Sequence, residues 1–186
     1  MSKNFANAVH RYDGGINREE SMRHFISIVL AVCVVPLIGA QVYAQQPAAP
    51  AAPVPPPPYG TPITLEQAKK VIDSAEAEAR KRNLNVAIAI VEPSGDLVYF
   101  RRMDSVDYAS IKNAQIKAIS AATYRRPSKS FRDRVAAGDL GPLALVGAVA
   151  SEGGVPIIVG GKIIGAIGTS GGSDGPISQA GADALK

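Results

Sequence analysis

Ser110, Asn113 and Lys117 fall at i, i+3 and i+7, the spacing that puts side chains on one face of a helix. An ammonium flanked by a hydroxyl and an amide can line a pocket for an anionic ligand; the same spacing also makes a plain solvent-facing stripe. Asp73 and Glu76 are carboxylates at i, i+3 with Glu78 close by, and hard oxygen donors of this kind suit a ferric or other hard metal ion. Two carboxylates alone equally describe a solvated helix face. Glycines at Gly153-Gly154 and throughout 168–172, apart from Thr169 and Ser170, can bring backbone N–H groups round an anion. No phosphate-binding signature such as G-x-G-x-x-G accompanies them.

What is missing narrows the chemistry further. The chain has 186 residues with one cysteine, Cys33, and two histidines, His10 and His24. All three precede residue 45. A domain beginning after residue 44 therefore has no disulfide, no thiolate or imidazole metal site, no Ser-His-Asp triad and no cysteine nucleophile. A general acid or base must come from Asp, Glu, Lys or Tyr. From Gln45 onward 16 Lys+Arg face 13 Asp+Glu, a net of 16 − 13 = +3. No basic run is interleaved with aromatics, so nucleic acid is not an expected partner.

Residues 1–44 read as an export signal: Met22-Arg23-His24, an apolar run over 25–40, and Val42-Tyr43-Ala44 as a small-residue cleavage site. The run of about 16 residues is short for a membrane span, which needs about 20. An uncleaved anchor is the alternative, and Met22 is a candidate true start. Residues 45–62, QQPAAPAAPVPPPPYGTP, read as an extended Pro/Ala tether. The folded domain is expected over 63–186.

That domain must place the polar residues above. Thr64-Leu65-Glu66-Gln67 is a capping box, and Leu65, Ala68, Val71, Ile72, Ala75 and Ala79 follow at helical spacing, which predicts a helix to about Arg82. VAIAIV (86–91) reads as a central buried strand, Glu92-Pro93-Ser94-Gly95-Asp96 as a turn, and LVYFR (97–101) as its return. A second helix starts at Asp104–Asp107, carries an apolar stripe of Ile111, Ala114, Gln115, Ala118, Ile119 and Ala122, and ends at Pro127. A short helix over 131–137 follows. LALVGAVA (143–150) is read as an extended segment leading to a hairpin whose strands, 155–159 and 163–167, flank Gly160-Gly161. Asp174-Gly175-Pro176 opens a last helix reaching Leu185. The sum is an α+β domain: a roughly five-stranded, largely antiparallel sheet covered by helices.

Four stretches in this order, TLEQAKKVIDSAEAEAR, VAIAIVEPSGDLVYFRRMD, ASIKNAQIKAISAATYRRPS and GGVPIIVGGKIIGAIGTSGG, resemble the GlcG/HbpS family, also found as the C-terminal domain of PduO-type proteins. The resemblance covers nearly all of 63–186. It implies a profilin-like three-layer fold, homo-oligomers, and for secreted members haem and iron binding outside the cell. Members often begin the last helix with an acidic cluster; here only Asp174 is acidic.

The resemblance makes haem, or another tetrapyrrole, the expected cofactor. Without His or Cys, the iron ligand is sought among Met103, Tyr99, Tyr108, Tyr124, Thr123, Thr169 and Lys117; the resemblance itself implies a threonine. Thioether and phenolate ligation are both known for haem iron. Arg101 and Arg102 can pair with propionates through the guanidinium fork, or simply decorate an edge strand. Met103 can equally fill a gap in the core. Ser110, Asn113, Lys117, Thr169 and Gly171 complete the candidate ligand site, and Asp73 with Glu76 the candidate metal pair. The expected function is an exported, periplasmic or extracellular, oligomeric small-ligand binder. The alternatives are an enzyme or accessory protein acting on a small organic acid or corrinoid, and a non-catalytic sensory protein. Membrane contact is expected only through an uncleaved leader.

Overall fold

The computed structural model describes residues 55–186. The leader, Cys33 and both histidines lie outside the described residues. Helix α1 (Leu65–Lys81) opens on the expected capping box: Gln67 N donates to Thr64 Oγ1 at 3.2 Å, and Thr64 N donates to Gln67 Oε1 at 3.0 Å. Its inner stripe is Ala68, Val71, Ile72, Ala75 and Ala79; Leu65, at the first turn, faces solvent instead. Strands β1 (Ala87–Val91) and β2 (Leu97–Arg102) form the first hairpin. Helix α2 (Tyr108–Tyr124) is capped by Asp107, whose Oδ1 accepts from Ser110 N at 2.7 Å. Helix α3 (Lys129–Ala136) and a 3-10 turn (Gly141–Ala144) lead to β3 (Gly154–Val159) and β4 (Lys162–Ser170). Gly160 and Gly161 have φ of 56° and 75°, the two positive values that a two-residue hairpin turn of matching twist requires. Helix α4 (Asp174–Asp183) closes the chain, two residues short of Leu185.

The strands lie in the order β2-β1-β4-β3, every neighbour antiparallel. Strand β1 is central and buried along its whole length. Its alternation divides the core in two. Ile88 and Ile90 face α1 and α4, which pack together on one side with Ile157, Ile167 and Ile177. Ala87, Ala89 and Val91 face α2 on the other, against Ala114, Ala118, Ala121, Ala122 and Ala166. The first layer is filled by large branched side chains; the second is thin because almost every residue in it is alanine or glycine. These two cores are assembled within the described residues, which therefore carry their own fold.

The helices and sheet are those expected, but the sheet has four strands where about five were expected. Residues 143–150 are not a strand: the 3-10 turn contains Pro142, Gly147 takes φ 75°, and neither conformation extends a ladder. An unexpected segment, the end of the tether, extends the sheet along the line of β1. Ile163 N donates to Pro58 O at 2.9 Å and Gly60 N to Ile163 O at 2.8 Å, a parallel bridge beside β4 where β1 has already ended. Ile63 N then donates to Ile164 O at 2.7 Å. Ordered chain thus begins before residue 63.

The thin layer sets a strict size limit. A Cβ on Gly168 would run into the Ala114 carbonyl oxygen and lie 2.5 Å from Ala118 N, both in helix backbone that cannot swing aside. We expect Gly168→Ala to cost about 3 kcal/mol, at the upper end for overpacking a core. Urea denaturation would read it as a lower midpoint at unchanged slope.

Candidate functional site

Three groups of polar or exposed residues could carry function, and each is built by a different pair of elements. The first joins β2 to α1. Arg101, pointing back from β2, places Nη1 2.8 Å from Asp73 Oδ1 and 2.6 Å from Glu76 Oε2. Arg80 Nε donates to the other oxygen of Glu76 at 3.0 Å. The two carboxylates of the candidate metal pair are brought together, and a guanidinium stands between them. Among the described residues no group of three or more His, Cys, Asp or Glu is placed to hold a metal ion. Hydrogen bonding from Arg80 holds the Glu76 carboxyl below its ordinary value, with partial burial opposing and Arg101 adding to it.

Beside this clamp lies a polar cleft of about 190 Å³ lined by Glu76, Arg80, Asn85, Arg101, Arg102, Met103 and Asp104. Pockets for drug-sized ligands run from about 300 Å³ upward, so the cleft does not enclose a porphyrin. Met103 is 7% exposed, and its sulfur accepts from Val86 N at 3.5 Å. That side chain belongs to the α1-side core and also borders the cleft. Arg101 is committed to carboxylates; Arg102 is exposed and has no side-chain partner among the described residues.

The second group joins α2 to α4 around the end of the sheet. Ser110 and Lys117 turn inward and are buried, whereas Asn113 faces solvent. The helix therefore rolls away from the stripe read in sequence, and Ile119, assigned to the core, lies at the surface. Lys117 Nζ donates to Asp174 Oδ2 at 2.7 Å and to Thr169 O at 3.3 Å. Asp174 Oδ1 accepts from Gly172 N at 2.9 Å. Thr169 Oγ1 donates to Asp174 O at 2.6 Å and lies 2.9 Å from Ser178 Oγ, which itself donates to Gly153 O at 2.5 Å. Ser170 Oγ donates to Ser110 Oγ at 3.3 Å, and Ser110 donates to Asp107 at 2.9 Å. Gly171, at φ 143°, presses its backbone against Asn85 O, where a Cβ would not fit. Ser110, Lys117, Thr169 and Gly171 are thus neighbours, as a ligand site would need. Their polar groups are spent on one another. Asp174 and Ser178 complete the network, and no spacing rule links residues 57 positions apart such as Lys117 and Asp174.

The third group is the outer face of α2. Tyr108 is 83% exposed, Ile116 47% and Ile119 37%, and Thr123 is exposed too. At 3.6 residues per turn these four fall within an arc of about 80°. The hydroxyls of Tyr108 and Thr123 have no partner among the described side chains, whereas Tyr124 gives its hydroxyl to Val146 O at 2.7 Å. Tyr99 is half-buried with the Arg101 guanidinium 5.8 Å from its ring centroid. Of the seven ligand candidates, Tyr108 and Thr123 are the two whose donor atoms are exposed and unspent.

A family model described as "Haem degrading protein HbpS-like" matches residues 63–183. The Protein GlcG of Escherichia coli K12 is 34% identical over 108 residues, 58% of this chain and 81% of that protein. A double mutant of Streptomyces reticuli HbpS superposes with a TM-score of 0.61 at 27% identity, covering 74% of this chain and 99% of that one. A structure described as a PduOC:heme complex shares the fold, with a TM-score of 0.61 at 24% identity over 68% of this chain and 96% of that chain.

Two predictions follow from the ion pairs. Lys117→Met strands a mostly buried carboxylate and should cost about 3 kcal/mol, while Lys117→Met with Asp174→Asn should cost less than the two single changes summed. Chemical denaturation of the four proteins measures both. Glu76 has a lowered folded-state value, so its contribution is complete above its unfolded value of about 4.3 and is lost as pH falls through the folded one. Stability measured on descending pH should fall less steeply in Glu76→Gln than in the parent between about pH 5 and pH 3.

Proposed function

This chain belongs to the HbpS-like family, and we propose that it is an exported, homo-oligomeric protein that binds haem or a closely related tetrapyrrole on the outer face of α2. The observation that carries the reading is the exposed stripe Tyr108, Ile116, Ile119 and Thr123. A tetrapyrrole is a flat, largely apolar disc with an acidic edge. It needs apolar surface, an axial donor and a cation, and Ile116 with Ile119, Tyr108 and the exposed Lys112 offer these on one helix. Haem, when bound, supplies a ferric iron that favours an anionic oxygen donor. A phenol ionises far more readily than an alcohol, which favours Tyr108 over Thr123. The family description and the haem complex of the PduOC protein support the ligand class.

A disc lying on an open helix face keeps its other side in water. A second copy of the chain covers that side, which is the physical case for a homo-oligomer. The leader at 1–44 and the tether after it support export to the periplasm or the cell exterior.

The enzyme alternative finds one supporting observation, the Asp174 carboxylate 2.7 Å from Lys117. Such a pair could bind or protonate a small organic acid. Lys117 is only 5% exposed, however, and its Cδ lies 3.1 Å from where a Gly153 Cβ would sit. A substrate reaches Nζ only if this packing opens, so binding is the better-supported reading.

Titration of the chain from residue 45 with haemin tests the proposal. We expect a shifted Soret band and haem retained through gel filtration. Tyr108→Phe should weaken binding by about tenfold or more and remove the phenolate-to-iron band, with Thr123→Val unchanged. No shift in the parent protein removes the proposal; sensitivity of Thr123→Val alone moves the iron ligand to that residue.

A further inference from the structure

Residues 140–146 display large apolar side chains to solvent: Leu140 is 63% exposed, Leu143 62%, Leu145 40% and Val146 92%. Four such residues within seven make a patch on the order of a few hundred Å², the size that marks an interaction site on a soluble domain. The segment is held in place from beneath. Pro142 is buried, Val146 O accepts the Tyr124 hydroxyl, and Val149 N donates to Ser120 Oγ at 3.1 Å.

The border of this patch is cationic. The end of α2 and helix α3 contribute Arg125, Arg126, Lys129, Arg132 and Arg134, against Asp133, Asp139 and Glu152, a balance of 5 − 3 = +2. The three acids are each paired within this group. Arg125 and Arg126 have no carboxylate partner among the described residues; they lie over aromatic rings, Arg125 at 5.5 Å from the Tyr59 centroid and Arg126 at 5.9 Å from that of Phe131. The parts are contiguous: Phe131 packs 5.1 Å from the Tyr124 ring, whose hydroxyl holds Val146, and Arg134 lies 3.5 Å from where a Gly141 Cβ would sit.

The tether is fastened at the same end. Tyr59 donates its hydroxyl to Ala122 O at 2.9 Å and Thr123 O at 3.1 Å, in the last turn of α2. Only residues 45–58 separate this anchor from the leader, a span of about 40 Å if fully extended as polyproline. Apolar side chains ringed by cations, beside the point where a membrane-directed segment joins the domain, match the chemistry of an anionic lipid surface.

We infer that the 140–146 loop, with Arg125 and Arg126, is a docking surface for a bilayer rich in anionic phospholipid headgroups. Contact of this kind does not depend on retention of the leader, nor on haem binding at α2. The apolar side chains enter the headgroup boundary while the arginines remain at the phosphates. No helix among the described residues is long and apolar enough to cross the membrane, so the contact is peripheral.

Co-sedimentation of the chain from residue 45 with vesicles tests the inference, using phosphatidylcholine alone and phosphatidylcholine mixed with phosphatidylglycerol. The mixed vesicles should bind at least about tenfold more tightly, and added salt should weaken that binding. Arg125→Gln with Arg126→Gln should weaken it by roughly thirtyfold, at about 1 kcal/mol for each cation near an anionic surface. Leu143→Ser with Val146→Ser should abolish retention at high salt. All four positions lie at the surface or its margin, and unchanged melting curves confirm that the variants fold. Equal binding to both vesicles, or none, overturns the inference. So does a serine double variant that binds vesicles normally but shrinks the particle in light scattering, because a second copy then covers the patch.

Discussion

The distance between α2 and the sheet governs much of this structure. A helix normally stands about 10 Å from the sheet it covers because side chains fill the gap. Here Gly168 lies directly under the Ala114 carbonyl, and Gly154 under that of Lys117, with no room for a methyl group at either place. The facing residues, Ala114, Ala118, Ala121 and Ala122, are equally small. Little apolar area is buried per residue on this side, and the stability it lacks is supplied by the isoleucine-rich layer against α1 and α4.

Close approach has a chemical consequence. A lysine in the middle of a helix laid this near the sheet cannot extend outward from position 117. Its chain runs past Gly153 to the far side and ends on Asp174 at the start of α4. One ion pair therefore ties a helix on one face to a helix on the other. The same geometry aligns Thr169, Ser178 and Ser110 so that each hydroxyl finds an acceptor, which a buried hydroxyl requires. Chemistry that looks available in the linear sequence is consumed in holding layers together. The apolar side chains left at the surface are those that α2 turns outward and those of the loop that does not join the sheet.

The tether shows a related economy. β1 is four residues shorter than β4, so the start of β4 would expose unpaired backbone groups beside β1's end. Pro58–Gly60 and Ile63 occupy that edge, and the Tyr59 hydroxyl donates to the Ala122 and Thr123 carbonyls in the last turn of α2, the first of which also accepts from Arg125 N. A segment whose composition reads as a spacer ends as part of the sheet.

Local chemistry was legible from the residues alone. The Thr64–Gln67 capping box, the apolar stripe of α1, the central VAIAIV strand and the Gly160-Gly161 turn each depend on neighbours within a few positions, and each stands where those neighbours put it. The α+β order follows from them. Legibility stopped at long range. The spacing of Asp73 and Glu76 is visible in sequence, but the Arg101 that occupies them comes from another element. Met103 reads alike as a ligand or a core residue until Val86 N is found beside its sulfur. The roll of α2, which buries Lys117 and exposes Ile119, was decided by glycines in strands about 40 to 50 residues away. Sequence periodicity fixes which side chains share a helix face, whereas the rotation of that face against a sheet is set by the closest steric contact, and that contact exists only once the layers have met.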